Sequence, residues 1–132
     1  MKKTLIIIFG VLVLFSLLSA CGGAAANCAD DPKPPPLEKK DTYKVGFSQV
    51  ETNNPWRIAQ TESMKAEAAK LGYELVYTDA GGSEAKQIAD VDSMIAQKVD
   101  LIFLAPRSEQ ALAEAVLKAK AACIPMIMLD RR

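Results

Sequence analysis

Residues 43–57 read Tyr43-Lys44-Val45-Gly46-Phe47-Ser48-Gln49-Val50-Glu51-Thr52-Asn53-Asn54-Pro55-Trp56-Arg57, and this stretch decides the fold class. Lys44 to Gln49 is a short apolar run of strand type. Asn54-Pro55 then opens a helix. The Asn side chain accepts from the first unpaired backbone N–H groups, and Pro sits at the first helical position, where its missing N–H costs nothing. Met64, Ala68 and Leu71 keep one helix face apolar, and Gly72 supplies the left-handed stop. A strand, a short loop and a helix make up the unit from which α/β folds are assembled.

The unit repeats downstream. Tyr73 to Thr78 reads as a second strand. Ser83 begins a second helix, with Ile88, Val91, Ile95 and Val99 at helical spacing. Leu101 to Leu104 is a continuous apolar strand, expected to be buried on both faces. Ser108 is expected to cap a third helix with Leu112, Val116 and Ala119 inward, and Pro125 to Leu129 reads as a fourth strand. The order βαβαβαβ implies right-handed crossovers and a parallel sheet between layers of helices. Ligands of such sheets bind outside the carboxyl ends of the strands. Polar clusters stand at all four of those ends: Gln49 to Arg57, Asp79 to Ser83, Pro106-Arg107-Ser108 and Asp130-Arg131. Four strands and three helices are fewer than a doubly wound domain usually has, so the domain reads as incomplete.

Upstream, Met1-Lys2-Lys3-Thr4 is a short basic start, followed by the apolar run Leu5 to Leu18, interrupted only by Gly10 and Ser16. That run is shorter than the about 20 residues needed to cross a bilayer and has the length of a signal-peptide core. It closes with Leu18-Ser19-Ala20-Cys21, which resembles the bacterial lipoprotein signal, small residues ahead of a cysteine that takes the lipid. The reading divides the chain into a signal peptide over 1–20, a lipidated Cys21 with a Pro-rich linker over 21–42, and a folded region over 43–132. Asp30-Asp31-Pro32-Lys33-Pro34-Pro35-Pro36 has no hydrophobic period and reads as an extended spacer.

The 132 residues predict one domain, and 16 basic against 16 acidic residues leave no positive excess of the kind a nucleic-acid binder carries. Loss of Lys2 and Lys3 with the signal makes the mature chain slightly acidic. There is no histidine, which removes His acid–base catalysis, His-activated nucleophiles and His metal sites. Cys21, Cys28 and Cys123 are too few for a zinc knuckle or a disulfide framework. With Cys28 in the linker and Cys123 in the domain, no bridge and a buried Cys123 thiol are expected. Glu84, Asp90 and Asp92 read as a wet helix face rather than a metal site. Gly81-Gly82-Ser83 at a helix start is an anion-binding feature too slight to stand alone. There is no nucleophile elbow, phosphate loop or acid pair at a useful spacing, so no enzyme, cofactor or metal is expected.

Val45-Gly46-Phe47-Ser48-Gln49, Asn53-Asn54-Pro55-Trp56-Arg57, Lys70-Leu71-Gly72-Tyr73-Glu74-Leu75, Gln97-Lys98-Val99-Asp100, Leu104-Ala105-Pro106, Ile124-Pro125 and Asp130-Arg131, in this order, resemble the periplasmic sugar-binding proteins of ABC importers. The resemblance is to the ribose, galactose and galactofuranose branch, related to LacI-type effector domains, and runs from about residue 43 to the end. It implies a flavodoxin-like lobe of the type I periplasmic binding fold, here the first part of the N-terminal lobe. It also implies a monomeric receptor that closes two lobes on a monosaccharide. Such a receptor delivers its sugar to a permease and ATPase subunit and is held at the outer face of the bacterial membrane by its lipid. The alternative is a sensor that passes a sugar or autoinducer signal to a membrane receptor.

The resemblance places Asn54, Trp56 and Arg57 in one wall of the sugar site and Asp130 with Arg131 in another; Gln49, at the end of the first strand, is a further candidate. The chemistry fits: an indole stacks on the C–H face of a sugar ring, a carboxylate accepts from two neighbouring hydroxyls, and a guanidinium donates in a fork. Each residue also has a plainer role. Trp56 packs, Arg57 pairs with Glu51 or Asp130, Asn54 caps its helix, and Asp130-Arg131 is a solvated charge pair. Lys98 and Cys123 stand at helix ends where the family usually has glycine, so left-handed backbone there would carry a strain of about 1–2 kcal/mol each.

Overall fold

The computed structural model describes residues 28–108 and 112–130. The signal peptide, Cys21 and Arg131 lie outside the described residues. Within them the order is β1 (Lys44–Gln49), α1 (Pro55–Leu71), β2 (Glu74–Asp79), α2 (Glu84–Ala96), β3 (Leu101–Ala105), α3 (Ala113–Ala121) and β4 (Met126–Met128). All neighbouring strands run parallel, in the order β2-β1-β3-β4. Lys44 is opposite Glu74, Val45 opposite Leu101, and Ile102 opposite Met126. The expected α/β architecture is therefore present, with four strands and three helices.

Local chemistry sets the helix ends. Asn54 is extended and its Oδ1 accepts from the Arg57 N–H at 3.0 Å. Ser83 Oγ accepts from the Lys86 N–H at 3.2 Å. At the other end all three helices stop the same way, with a left-handed residue and paired back-bonds to the last turn. After α1 that residue is Gly72, with Tyr73 N–H donating to Ala68 O at 2.9 Å. After α2 and α3 it is Lys98 (φ 54°) and Cys123 (φ 58°), the two positions where the resemblance has glycine.

The third helix begins differently from its expectation. It starts at Ala113 with Leu112 at the cap position and no side-chain cap. The Ser108 hydroxyl donates to Glu84 Oε1 at 2.8 Å, and residues 109–111, which a cap on Ser108 would serve, lie outside the described residues.

The core lies between the sheet and the α2–α3 layer. Val91 and Met94 of α2, Ile102 and Leu104 of β3, and Leu112, Ala115 and Ala119 around α3 are sealed from solvent. Gly46 makes this contact close, since a Cβ there would lie 2.7 Å from the Met94 sulfur. Among the described residues, the opposite face of the sheet is covered only in part. Helix α1 packs on β2, leaving Leu101 and Phe103 partly exposed, so β3 is buried on one face rather than two. Leu71, expected inward, is 50% exposed. With Leu37, Tyr43, Met64, Leu75 and Phe103 it borders an apolar hollow of about 370 Å³.

Two further expectations are corrected. Cys28 and Cys123 form a disulfide, with Cα atoms 5.1 Å apart, so Cys123 is not a free thiol. The described part of the spacer is not free either. The Lys40 ammonium pairs with Asp100, and Thr42 Oγ1 donates to Gly72 O at 2.9 Å. Sequence cannot show that residue 28 passes beneath β4, because the contact depends on how the sheet turns the chain back.

Candidate functional site

The carboxyl ends of the strands converge on a cavity of about 270 Å³ lined by Val50, Glu51, Arg57, Glu84, Pro106, Arg107 and Ser108. Backbone bonds hold its rim. Ala80 N–H donates to Gln49 O at 2.9 Å and Gly82 N–H to Val50 O at 2.8 Å, so the loops after β1 and β2 move as one. The Thr52 hydroxyl donates to the Asp79 carboxylate, whose other oxygen accepts from Gly81 N–H at 2.8 Å. Above Gly82 (φ 80°) the Arg107 and Glu51 side chains come together, each within 3.3 Å of where a Cβ would stand.

Arg57 is the centre of this rim. It lies in the first turn of α1, buried to 7% side-chain exposure. One guanidinium nitrogen donates to Gln60 Oε1 at 3.1 Å and another to Asp130 Oδ2 at 2.9 Å. Seventy-three positions separate Arg57 from Asp130 in sequence, and the fold joins them directly. Of the two partners proposed for Arg57, the structure selects Asp130. Asp130 keeps 37% of its side chain exposed and sits on left-handed backbone (φ 71°), so its carboxylate faces both Arg57 and solvent.

The other expected residues fall in different places. Asn54 is half-buried as the cap of α1, and its amide donates to Asn53 Oδ1 at 3.0 Å. Trp56 is 64% exposed beside the rim and does not line the cavity. Gln49 is fully buried. Its Nε2 donates to Gln60 Oε1 at 2.9 Å and to Thr61 Oγ1 at 3.2 Å, and its Oε1 accepts from Val50 N–H at 3.1 Å. It is the bed on which Gln60 and Arg57 rest, not a group that reaches the cavity. Alternation along β1 explains this, since Gln49 points toward α1.

Four cavity-lining residues escape the sequence-level candidate set: Glu51, Glu84, Arg107 and Ser108. Their strand-end positions were the available signal. Glu84 leaves the wet-face group because Ser108 engages it, whereas Asp90 pairs with Lys86 at 2.8 Å and Asp92 with Lys118 at 2.9 Å. Gln87, fully buried, fixes the last loop: its Nε2 donates to Ala105 O at 2.9 Å and its Oε1 accepts from Arg107 N–H at 3.2 Å. The cavity thus presents carboxylates and guanidinium groups held by buried amides. Such a lining suits a neutral ligand with several hydroxyls better than a fully charged one.

Comparison with known proteins gives the same direction. A family model described as periplasmic binding protein domain matches residues 45–132. The ribose import binding protein RbsB of Bacillus subtilis is 33% identical over 131 residues, 99% of this chain and 41% of that protein. The galactofuranose-binding protein YtfQ of Escherichia coli is 42% identical over 87 residues, 66% of this chain and 27% of that one. Among solved structures, an ABC transporter solute binding protein from Mycobacterium smegmatis with bound glycerol matches at a TM-score of 0.67 with 34% identity. That match covers 69% of this chain and 32% of that structure. The arabinose-transporter binding protein of Shewanella sp. ANA-3, bound to L-arabinofuranose, matches at 0.64 with 41% identity, covering 66% and 29%. The chain thus spans 41% and 27% of the length of the two curated relatives.

Proposed function

This chain belongs to the family of periplasmic binding protein domains, and on that premise we propose that it forms one wall of an extracytoplasmic receptor for a monosaccharide, which it delivers to the permease and ATPase of an ABC importer. The observation that carries the reading is the Arg57–Asp130 pair at the strand-end rim. It offers an exposed carboxylate to accept from neighbouring ring hydroxyls, beside a buried guanidinium whose hydrogen bond aims it. Glu51, Arg107 and Ser108 extend the lining. Trp56, outside the cavity on this lobe, is available to cover the apolar face of a sugar ring held between this wall and an opposing one. Binding, without catalysis, is the whole of the chemistry.

Localisation follows from two features. Cys21, as a lipidated first residue, holds the receptor on the outer face of the membrane. The Cys28–Cys123 disulfide supports an oxidising compartment outside the cytoplasm.

The test is thermal unfolding of the chain, and of a two-lobed protein carrying it, against pentoses and hexoses in both ring forms. A ligand in excess raises the melting temperature by mass action, with about 2.7 kcal/mol of stabilisation at a hundred times Kd. One sugar shifting the two-lobed protein supports the proposal; no shift across the panel refutes it.

A further inference from the structure

The strap formed by residues 28–42 runs along the edge opposite the cavity. Each of its anchors lies at the amino ends of the strands: Cys123 ahead of β4, Asp100 ahead of β3 and Gly72 ahead of β2. Lys40 N–H also donates to Tyr43 Oη at 3.0 Å. Between these points the strap has no helix or strand, and Asp30 to Pro34 and Pro36 to Asp41 are exposed. Exposed irregular segments of this kind are where proteases cut.

We propose that the Cys28–Cys123 disulfide carries the membrane attachment of the lobe past the exposed strap, so that a chain cut between residues 29 and 42 remains on the membrane until the disulfide is reduced. This rests on the reading of Cys21 as the lipidated residue. The peptide route from Cys21 to β1 reaches at most about 80 Å, whereas the route through Cys28 and Cys123 has at most about 25 Å of chain between lipid and lobe. The disulfide therefore sets the leash length. It also ties the lobe at the amino-end edge of the sheet, opposite the cavity. Release takes two chemical events. One is hydrolysis of a strap peptide bond by water. The other is reduction of the disulfide, in which a dithiol gives two electrons and two protons, closes to its own disulfide and leaves Cys28 and Cys123 as thiols.

The experiment inserts a sequence-specific protease site between Pro32 and Lys33 and follows the lobe between membrane pellet and supernatant. With the strap cut and no reductant, the lobe is expected in the pellet; with the strap cut and dithiothreitol present, in the supernatant. Cys28→Ser and Cys123→Ser are each expected to release the lobe on cutting alone. The parent with and without reductant repeats the comparison in a single polypeptide, should either variant fail to fold. Release of the parent by the protease alone, with cleavage verified by fragment mass, overturns the inference while leaving the lipid anchor standing. A lobe already in the supernatant before any protease overturns the anchor reading and this inference together.

Discussion

Replacing Asp130 by Asn tests the rim most directly. The substitution keeps size and one acceptor oxygen but removes the charge facing Arg57. The geometry bounds the effect. Fully exposed ion pairs contribute about 0–1 kcal/mol, and removing one partner of a fully buried pair costs about 3–5 kcal/mol. Here the guanidinium side is 7% exposed and the carboxylate side 37%, so the pair lies between those limits. An expected loss of about 1–2 kcal/mol follows, most of it from leaving Arg57 without its counter-charge. Arg57→Met removes the other partner while keeping the aliphatic stem, and Gln60 Oε1 retains its bond from Gln49. Urea unfolding followed by far-UV circular dichroism on the two single variants and the double variant gives the coupling energy. The expected coupling is about 1–2 kcal/mol with unchanged m-values. A coupling under about 0.5 kcal/mol would show that the two side chains do not meet, and the shared rim would fall with it. In a two-lobed receptor the same changes are expected to weaken sugar binding by about 10- to 100-fold, the range of one charge-assisted hydrogen bond.

Cys28→Ser is expected to lower stability by about 3–5 kcal/mol, because the disulfide closes a loop with a sequence separation of 95; a loss under about 1 kcal/mol in urea titration would refute a disulfide present in the folded chain. Lys98→Gly is expected to raise stability by about 0.5–1 kcal/mol, relief of left-handed strain less the added freedom of the unfolded glycine, and a destabilisation in the same titration would contradict it. The Lys40 ammonium holds the Asp100 carboxyl below its usual range, with Lys44 N–H helping against burial, and Asp100 in turn raises Lys40. The Asp100 contribution is therefore present above the ordinary carboxylate pKa and lost as pH falls through the lowered value, whereas that of Lys40 persists through neutral pH and is lost only above its ordinary value. In the Cys28→Ser background, the urea midpoint should fall on acidification, and Asp100→Asn should flatten that acid limb; identical acid profiles would remove the ion pair from the account.

What the sequence makes legible is what local chemistry determines. Asn54-Pro55 and Gly72 mark both ends of α1 because capping involves neighbouring residues only. The left-handed backbone at Lys98 and Cys123 is signalled only through the family resemblance, in which glycine usually stands at those positions. The parallel sheet follows from the alternation of strands and helices. What is missed depends on partners far along the chain. The Ser108 hydroxyl finds Glu84 across a sequence separation of 24, and Cys28 finds Cys123. Gln49 is drawn beneath Gln60 and Thr61, so a polar residue at a strand end proves to be a support. Leu71 has the right spacing for burial, but nothing among the described residues covers it. At the site, Arg57 and Asp130 were legible separately, and their meeting was one of two pairings the residues allowed.

The partly covered apolar face of β3 beside α1 has a consequence for handling this chain. A surface that joins Val45, Phe103, Leu75 and the exposed Leu71 in one hollow is expected to take up hydrophobic dyes and detergent and to favour self-association as concentration rises. Leu37 of the strap covers only one margin of it. The solubility of the isolated lobe is therefore expected to depend on this half-covered hydrocarbon as well as on its nearly balanced charges.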